Sequence, residues 1–299
     1  MLNVLILAAG LGTRLRPLTT SLPKPLVPIV DDSILAHQIR LAKTLGPISL
    51  HVNAFYLAEI LKKEANRLGI EQVWVESPEI LGTGGPLRRL YQEGVRGDLL
   101  VLNGDCYTGV DLSEFLANSK KSGALLSLLG VEEPRINSLQ IGSDSILSGI
   151  SGYFGIETSV KTTFSGISWY KEEALSQILD SERNIVDYWH RLFDSNQKIF
   201  VDLSQNKALW VDMGTPLGLI KANFARLAEL GVDSWIHPDH PLVNSEEFKA
   251  RLEHSVIHAE AKIGSGAILD HSLLFDGAVV LENEYVKNQI RGADFVWDW

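Results

Sequence analysis

The sequence predicts an α/β fold: a doubly wound, mixed but mostly parallel sheet, followed by a short C-terminal segment of left-handed β-helix type. Three observations lead there. Residues 3–8 (NVLILA) form a nearly continuous apolar run that stops at Gly10 and Gly12, the pattern of a strand buried on both faces. Short apolar runs then alternate with segments of helical spacing, which implies βαβ units. From Val256 onward, apolar pairs return every five or six positions, the spacing of stacked coils.

Taken in order, residues 3–8 make the first strand. Residues 33–45 follow as a helix, with apolar side chains at 34, 35, 39, 41, 42 and 45 and with Asp31, Asp32 and Ser33 placed to cap it. Residues 48–52 are a strand, 58–68 a helix stopped by Gly69, and 70–75 and 99–102 further strands. Helices are expected at 111–121, 171–179 and 184–193, and a strand at 124–131. Thr215 is an N-cap with Pro216 in the first turn; Leu217, Ile220, Phe224 and Leu227 share one face, and Gly231 ends that helix. Residues 1–231 are therefore read as one domain. Residues 232–252, with two prolines and many polar side chains, are read as a connector. Residues 253–299 are a hexapeptide-repeat-like segment and tail, with Gly266 and Gly277 at turns; an ordinary β-meander is the competing architecture. Two or three coils are too few to stand alone, so docking or pairing between copies through this segment is expected. Phe295, Trp297 and Trp299 are expected to pack.

The 299 residues are 45% apolar and 21% charged, with a net charge of −10. That balance argues against binding to nucleic acid or to an anionic membrane. One cysteine, Cys106, permits no internal disulfide, and a small buried side chain is its expected role. No early apolar run approaches the ~20 residues of a membrane span, and the start lacks the features of a signal peptide. A cytoplasmic protein is expected. Tyr188 and Trp189 lie on an apolar helix face and should be core. His237, His240, His254, His258 and His271 match no zinc spacing and are expected on solvated loops and coil corners.

Against the acidic average, the first 30 residues carry Arg14, Arg16 and Lys24 and no acid. Leu7 and Ala8 end the first strand, and Ala9, Gly10, Gly12 and Thr13 follow it. Glycines in such a turn let backbone N–H groups approach a phosphate. The dinucleotide fingerprint fails at Leu15, and no Gly-Lys-Ser/Thr completes a Walker A loop. Arg14 can take phosphate oxygens bidentately and Lys24 acts as a point charge, stiffened by Pro23 and Pro25.

Residues 7–29 (LAAGLGTRLRPLTTSLPKPLVPI), 79–87 (EILGTGGPL), 101–105 (VLNGD), 164–167 (FSGI) and 210–216 (WVDMGTP) closely resemble the sugar-phosphate nucleotidyltransferases, also called nucleotide-sugar pyrophosphorylases. The look is nearest to the mannose-1-phosphate guanylyltransferase branch. The resemblance covers about residues 1 to 230 and implies a Rossmann-like, GT-A-like sheet. It implies transfer of a nucleotidyl group from an NTP to a sugar 1-phosphate, with release of pyrophosphate. It places Arg14, Lys24 and Asp105 in the catalytic machinery and gives the 7–14 loop to the triphosphate. Asp105 and Asp212 become ligands of Mg²⁺, and Gly82 and Thr83 lie against base and ribose. Glu76 or Ser77 falls at the base-reading position. A carboxylate there could accept from N1–H and the 2-amino group of guanine, which favours GTP. Asn103, Ser165 and Gly166, with Glu157, are the expected sugar-binding residues, although 140–160 departs from the family pattern; Lys161 fits a surface lysine better than a phosphate ligand. A uridylyltransferase, or a silent nucleotide-sugar-binding regulatory subunit, is the alternative. An oxidoreductase is disfavoured by Leu15.

Overall fold

The computed structural model describes the chain except Met1, Glu71 and Ala250. The last two fall within the strand expected over 70–75 and the connector expected over 232–252. The chain divides into two compact units: Met1–Leu11 with Leu35–Trp210, and Gly12–Ile34 with Val211–Trp299.

A ten-stranded sheet organises the first unit. Strand Leu2–Leu7 runs parallel to both Ile48–Ala54 and Leu99–Asn103. Gln72–Val75 extends the parallel part. Val4, Leu5 and Ile6 are fully buried, which accounts for the unbroken apolar run. Val160–Tyr170 joins antiparallel to Leu99–Asn103, so the sheet is mixed. One end of this long strand pairs with Leu126–Val131 and the other with Leu139–Ile141, with a register shift between Phe164 and Ser168. Leu5, Val101, Leu128, Tyr170, Tyr188 and Trp189 share one core, as expected for the last two.

Some expectations are corrected. The helix expected over 33–45 spans Ile34–Lys43, and Asp32–Ser33 instead pairs with Pro28–Ile29 as a two-residue β-ladder. Both oxygens of Asp31 accept from Arg226 at 2.8 Å. Residues 171–179 hold only a short helix, Glu172–Leu175, because Glu182 Oε2 takes the Leu179 amide at 2.8 Å and turns the chain. Strands Leu139–Ile141, Leu147–Ile150 and Ile199–Asp202 were not anticipated.

In the second unit, Leu252 pairs with Leu269 and Leu269 with Val286; Val256 pairs with Leu273 and Leu273 with Ile290; Lys262 pairs with Val279, all parallel. Partners stand seventeen residues apart on three ladders, so the segment is a β-helix-like coil. Ile257, Leu269, Leu274, Val280 and Val286 fill it. Val296–Asp298 closes it antiparallel to Gln289–Arg291. His240 and His258 are buried rather than solvated. His240 Nδ1 accepts from the Leu242 amide at 3.1 Å, so its Nε2–H donates to the Ala261 carbonyl at 3.0 Å.

Two buried histidines make stability pH-dependent. His51 Nδ1 accepts from Trp74 Nε1 at 3.2 Å, and burial pushes its pKa down to about 4. Burial does the same to His258, whose ring stacks on Phe275 at 5.0 Å. A histidine with a folded pKa below its unfolded value stabilises above the unfolded pKa and loses that contribution as pH falls. Stability should therefore decline between about pH 6.5 and 4, by up to ~1.4 kcal/mol per pH unit for each histidine. Urea unfolding at several pH values checks this. His51→Gln should flatten the decline; an unchanged slope contradicts it.

Candidate active site

Leu7 sits opposite Asn103 in the parallel ladder. The segments leaving these two strands therefore depart from neighbouring carboxyl ends, where open α/β sheets bind ligands. The turn after Asn103 is shaped by Gly104. Its amide donates to the Leu7 carbonyl at 2.9 Å, and a Cβ there would lie 2.6 Å from that oxygen. Asp105, half-buried, follows immediately. The next residues are pinned by the Ile34–Lys43 helix: Gln38 Nε2 donates to the Cys106 carbonyl at 2.5 Å, and His37 stacks on Tyr107 at 4.2 Å. Cys106 is buried, as expected.

The Ala8 amide donates to Asn53 Oδ1 at 2.6 Å, and Asn53 Nδ2 donates to Glu76 Oε1 at 2.7 Å. Glu76 Oε2 accepts from the Leu81 amide at 2.6 Å. Glu76 is buried with both oxygens engaged, while Ser77 is exposed. Asn53 links the start of the glycine loop to Glu76, and sequence reading missed it. The available signal was a polar residue at the carboxyl end of an apolar strand. Gly82 and Gly84 admit the backbone of Arg183 and Glu182, whose carbonyls a Cβ would strike. Thr83 Oγ1 accepts from the Ile185 amide at 3.0 Å.

Among the expected sugar-binding residues, Gly166 has a φ of +83° and lies against Asn103, whose Cβ would be 2.8 Å from an added methyl. Ser165 is fully buried, and Trp210 Nε1 donates to its carbonyl at 2.8 Å. The strand irregularity at 164–168 thus brings Asn103, Ser165 and Gly166 together. Glu157 stands apart in its contacts. It is exposed, 3.8 Å from Lys161, and helps line a cleft of about 260 Å³ with Gln140, Ser151, Tyr153 and Phe154.

In the second unit, Gly12 has a φ of +64° and packs against Thr19 and Lys24. Thr19 Oγ1 donates to the Gly12 carbonyl at 2.7 Å. Thr13–Leu15 then forms a single 3-10 turn anchored by buried Leu15. That turn projects Arg14, whose guanidinium is 3.7 Å from Asp212 Oδ2 and 60% exposed. Asp212 Oδ1 accepts from the Gly214 amide at 2.7 Å. A Cβ on Gly214 would collide with the Arg14 guanidinium, so this glycine makes the pairing possible. Thr215 caps the Pro216–Leu230 helix by accepting from the Gly218 amide. Asn223 of that helix accepts from the Val30 amide at 2.9 Å, fastening residues 12–34 to it. Lys24 is buried.

Residues 3–138 match the family model described as nucleotidyl transferase. The chain is 26% identical over 295 residues to a probable mannose-1-phosphate guanylyltransferase of Oryza sativa subsp. japonica, covering 94% of this chain and 78% of that protein. It is 37% identical over 141 residues to a mannose-1-phosphate guanylyltransferase catalytic subunit beta of Drosophila melanogaster, covering 44% of this chain and 38% of that one. Among solved structures, HddC from Yersinia pseudotuberculosis superposes with a TM-score of 0.60 at 25% identity, covering 76% of this chain and all of that one. The mixed sheet, the matched segment and these relatives agree in one likeness: over residues 3–138 the chain is similar to nucleotidyl transferases, and along most of its length to a protein named as a probable mannose-1-phosphate guanylyltransferase.

Proposed function

We propose that the protein transfers a guanylyl group from GTP to a sugar 1-phosphate, mannose 1-phosphate in the first instance, with Mg²⁺ as cofactor. The observation that carries the reading is the pairing of Arg14 with Asp212, nearly two hundred residues apart, beside a glycine that admits the guanidinium. A triphosphate needs a cation for its oxygens, and the metal it travels with needs a hard oxygen ligand; this pair offers both. The choice of GTP and mannose 1-phosphate rests on the names of the rice and fruit-fly relatives.

Asp105 and Asp212 are the residues proposed to hold Mg²⁺. Their chemistry fits: both are carboxylates that keep solvent access, and Mg²⁺ takes one or two carboxylates with waters and phosphate oxygens. When bound, the ion supplies neutralisation of phosphate charge. The protein's own groups do the rest. Arg14 and Lys24 offset phosphate charge in a chain of net −10. The loop amides from Gly10 to Thr13 orient the triphosphate, while Asn103, Ser165 and Gly166 position the sugar. Of the two base-reading candidates Ser77 is the exposed one; Glu76, already engaged by Asn53 and Leu81, is assigned to holding the turn. Pyrophosphate release measured over four NTPs and a panel of sugar 1-phosphates tests the reading. Highest turnover with GTP and mannose 1-phosphate is expected. Another best pair refutes the substrates, and no release with any pair refutes the activity.

A further inference from the structure

The coil carries a cluster that nucleotidyl transfer does not use. Residues 254, 271 and 288 occupy the same corner of successive coils, seventeen apart, with left-handed backbone at φ 45°, 50° and 53°. The third is asparagine, which suits that conformation; the first two are histidines. Their rings stack with centroids 4.7 Å apart and planes 6° from parallel. One carboxylate oxygen of Glu253 and one ring nitrogen from each histidine lie within 4.8 Å of one another, on the surface. His254 Nδ1 is 2.9 Å from Asp233, and His271 Nδ1 is 2.5 Å from Asp270. Neither Nε2 has a hydrogen-bond partner among the described residues. A carboxylate on one ring nitrogen is how metal-ligating imidazoles are oriented, because it fixes the proton there and leaves the other lone pair free. Asp270 also accepts from Lys287 at 2.7 Å and Tyr285 at 2.6 Å, so it persists as an anion. Phe224 meets both rings edge-on, at 6.1 and 5.7 Å.

We propose that Glu253, His254 and His271 form a site for a divalent transition metal of the zinc class, clamping two neighbouring coils. Two imidazoles and a carboxylate are a donor set for such ions and a poor one for Mg²⁺, which prefers oxygen throughout. The ligand atoms stand wider than in a filled site, where a zinc–nitrogen bond is about 2.0–2.1 Å; rotation of exposed side chains closes the gap. A solenoid of so few coils gains from such a cross-link, and an ion that binds only the folded chain raises its stability.

Zinc alone, titrated into the full chain and followed by calorimetry and thermal unfolding, tests this. One saturable site per chain and a raised melting temperature are expected. The double variant His254→Asn/His271→Asn places in both corners the residue found at 288, and should melt like the parent without metal. It should bind zinc at least ~10²-fold more weakly, beyond the loss from an outer-shell partner alone. Asp105→Asn should retain the zinc site, which separates it from the proposed Mg²⁺ ligands. No saturable binding by the parent, undiminished binding by the double variant, or loss of binding in Asp105→Asn each overturns the proposal. Anomalous scattering at the zinc edge must place the ion against His254 and His271; an ion elsewhere does the same.

Discussion

Asp105→Asn is expected to lower turnover by at least ~10²-fold, the scale of removing one fixed electrostatic stabiliser. The substitution keeps size and shape while removing the charge proposed to hold Mg²⁺. The backbone on either side has its own anchors, with Gly104 bonded to Leu7 and Cys106 to Gln38. The melting temperature should therefore stay within a few degrees of the parent. Steady-state pyrophosphate release and circular dichroism melting check the two halves separately. Near-normal turnover removes Asp105 from the reaction, and a collapse in melting temperature makes its role structural.

Gly104→Ala attacks the same residue through its support. The added methyl would sit 2.6 Å from the Leu7 carbonyl and 3.4 Å from Ile6 Cγ2. Neither can retreat cheaply, because Leu7 ends the central strand and Ile6 is fully buried. Relief must come from moving the turn that carries Asp105. Overpacking of this kind costs about 1–3 kcal/mol, or several degrees in melting temperature for a unit of this size. A displacement near 1 Å at a reacting group removes on the order of 10² in rate. Parent-like melting with parent-like turnover contradicts this account of Gly104.

Local pattern carried the elements whose reason is local. The first strand was legible because burial on both faces leaves an unbroken apolar run. The coil was legible because apolar pairs recur every five or six residues; the seventeen-residue spacing of its ladders shows only in the fold. The Pro216–Leu230 helix announced itself through Thr215, Pro216 and Gly231. Features set by distant partners were not legible. Asp31 reads as a cap in the sequence, which gives no sign of its ion pair with Arg226. The strands between 139 and 155 are short, and the strand they join shifts register at Phe164–Ser168, so no period of two persists there. Nothing in the sequence near Gly82 and Gly84 shows that the backbone of 182–183 packs against them. In the candidate site, Arg14 was named from the basic opening of the chain and Asp212 by resemblance, but only the fold reveals Gly214 making room between them. Glu253, His254 and His271 were passed over because their spacing crosses from one coil to the next.

Asp105 and Asp212 are proposed to serve one metal-bound nucleotide. A double-mutant cycle on kcat/KM, using Asp105→Asn, Asp212→Asn and the pair, tests this most directly. Groups acting as one unit are strongly non-additive, so the double variant should be about as slow as the worse single variant. Losses that simply add would show two independent sites and contradict the account.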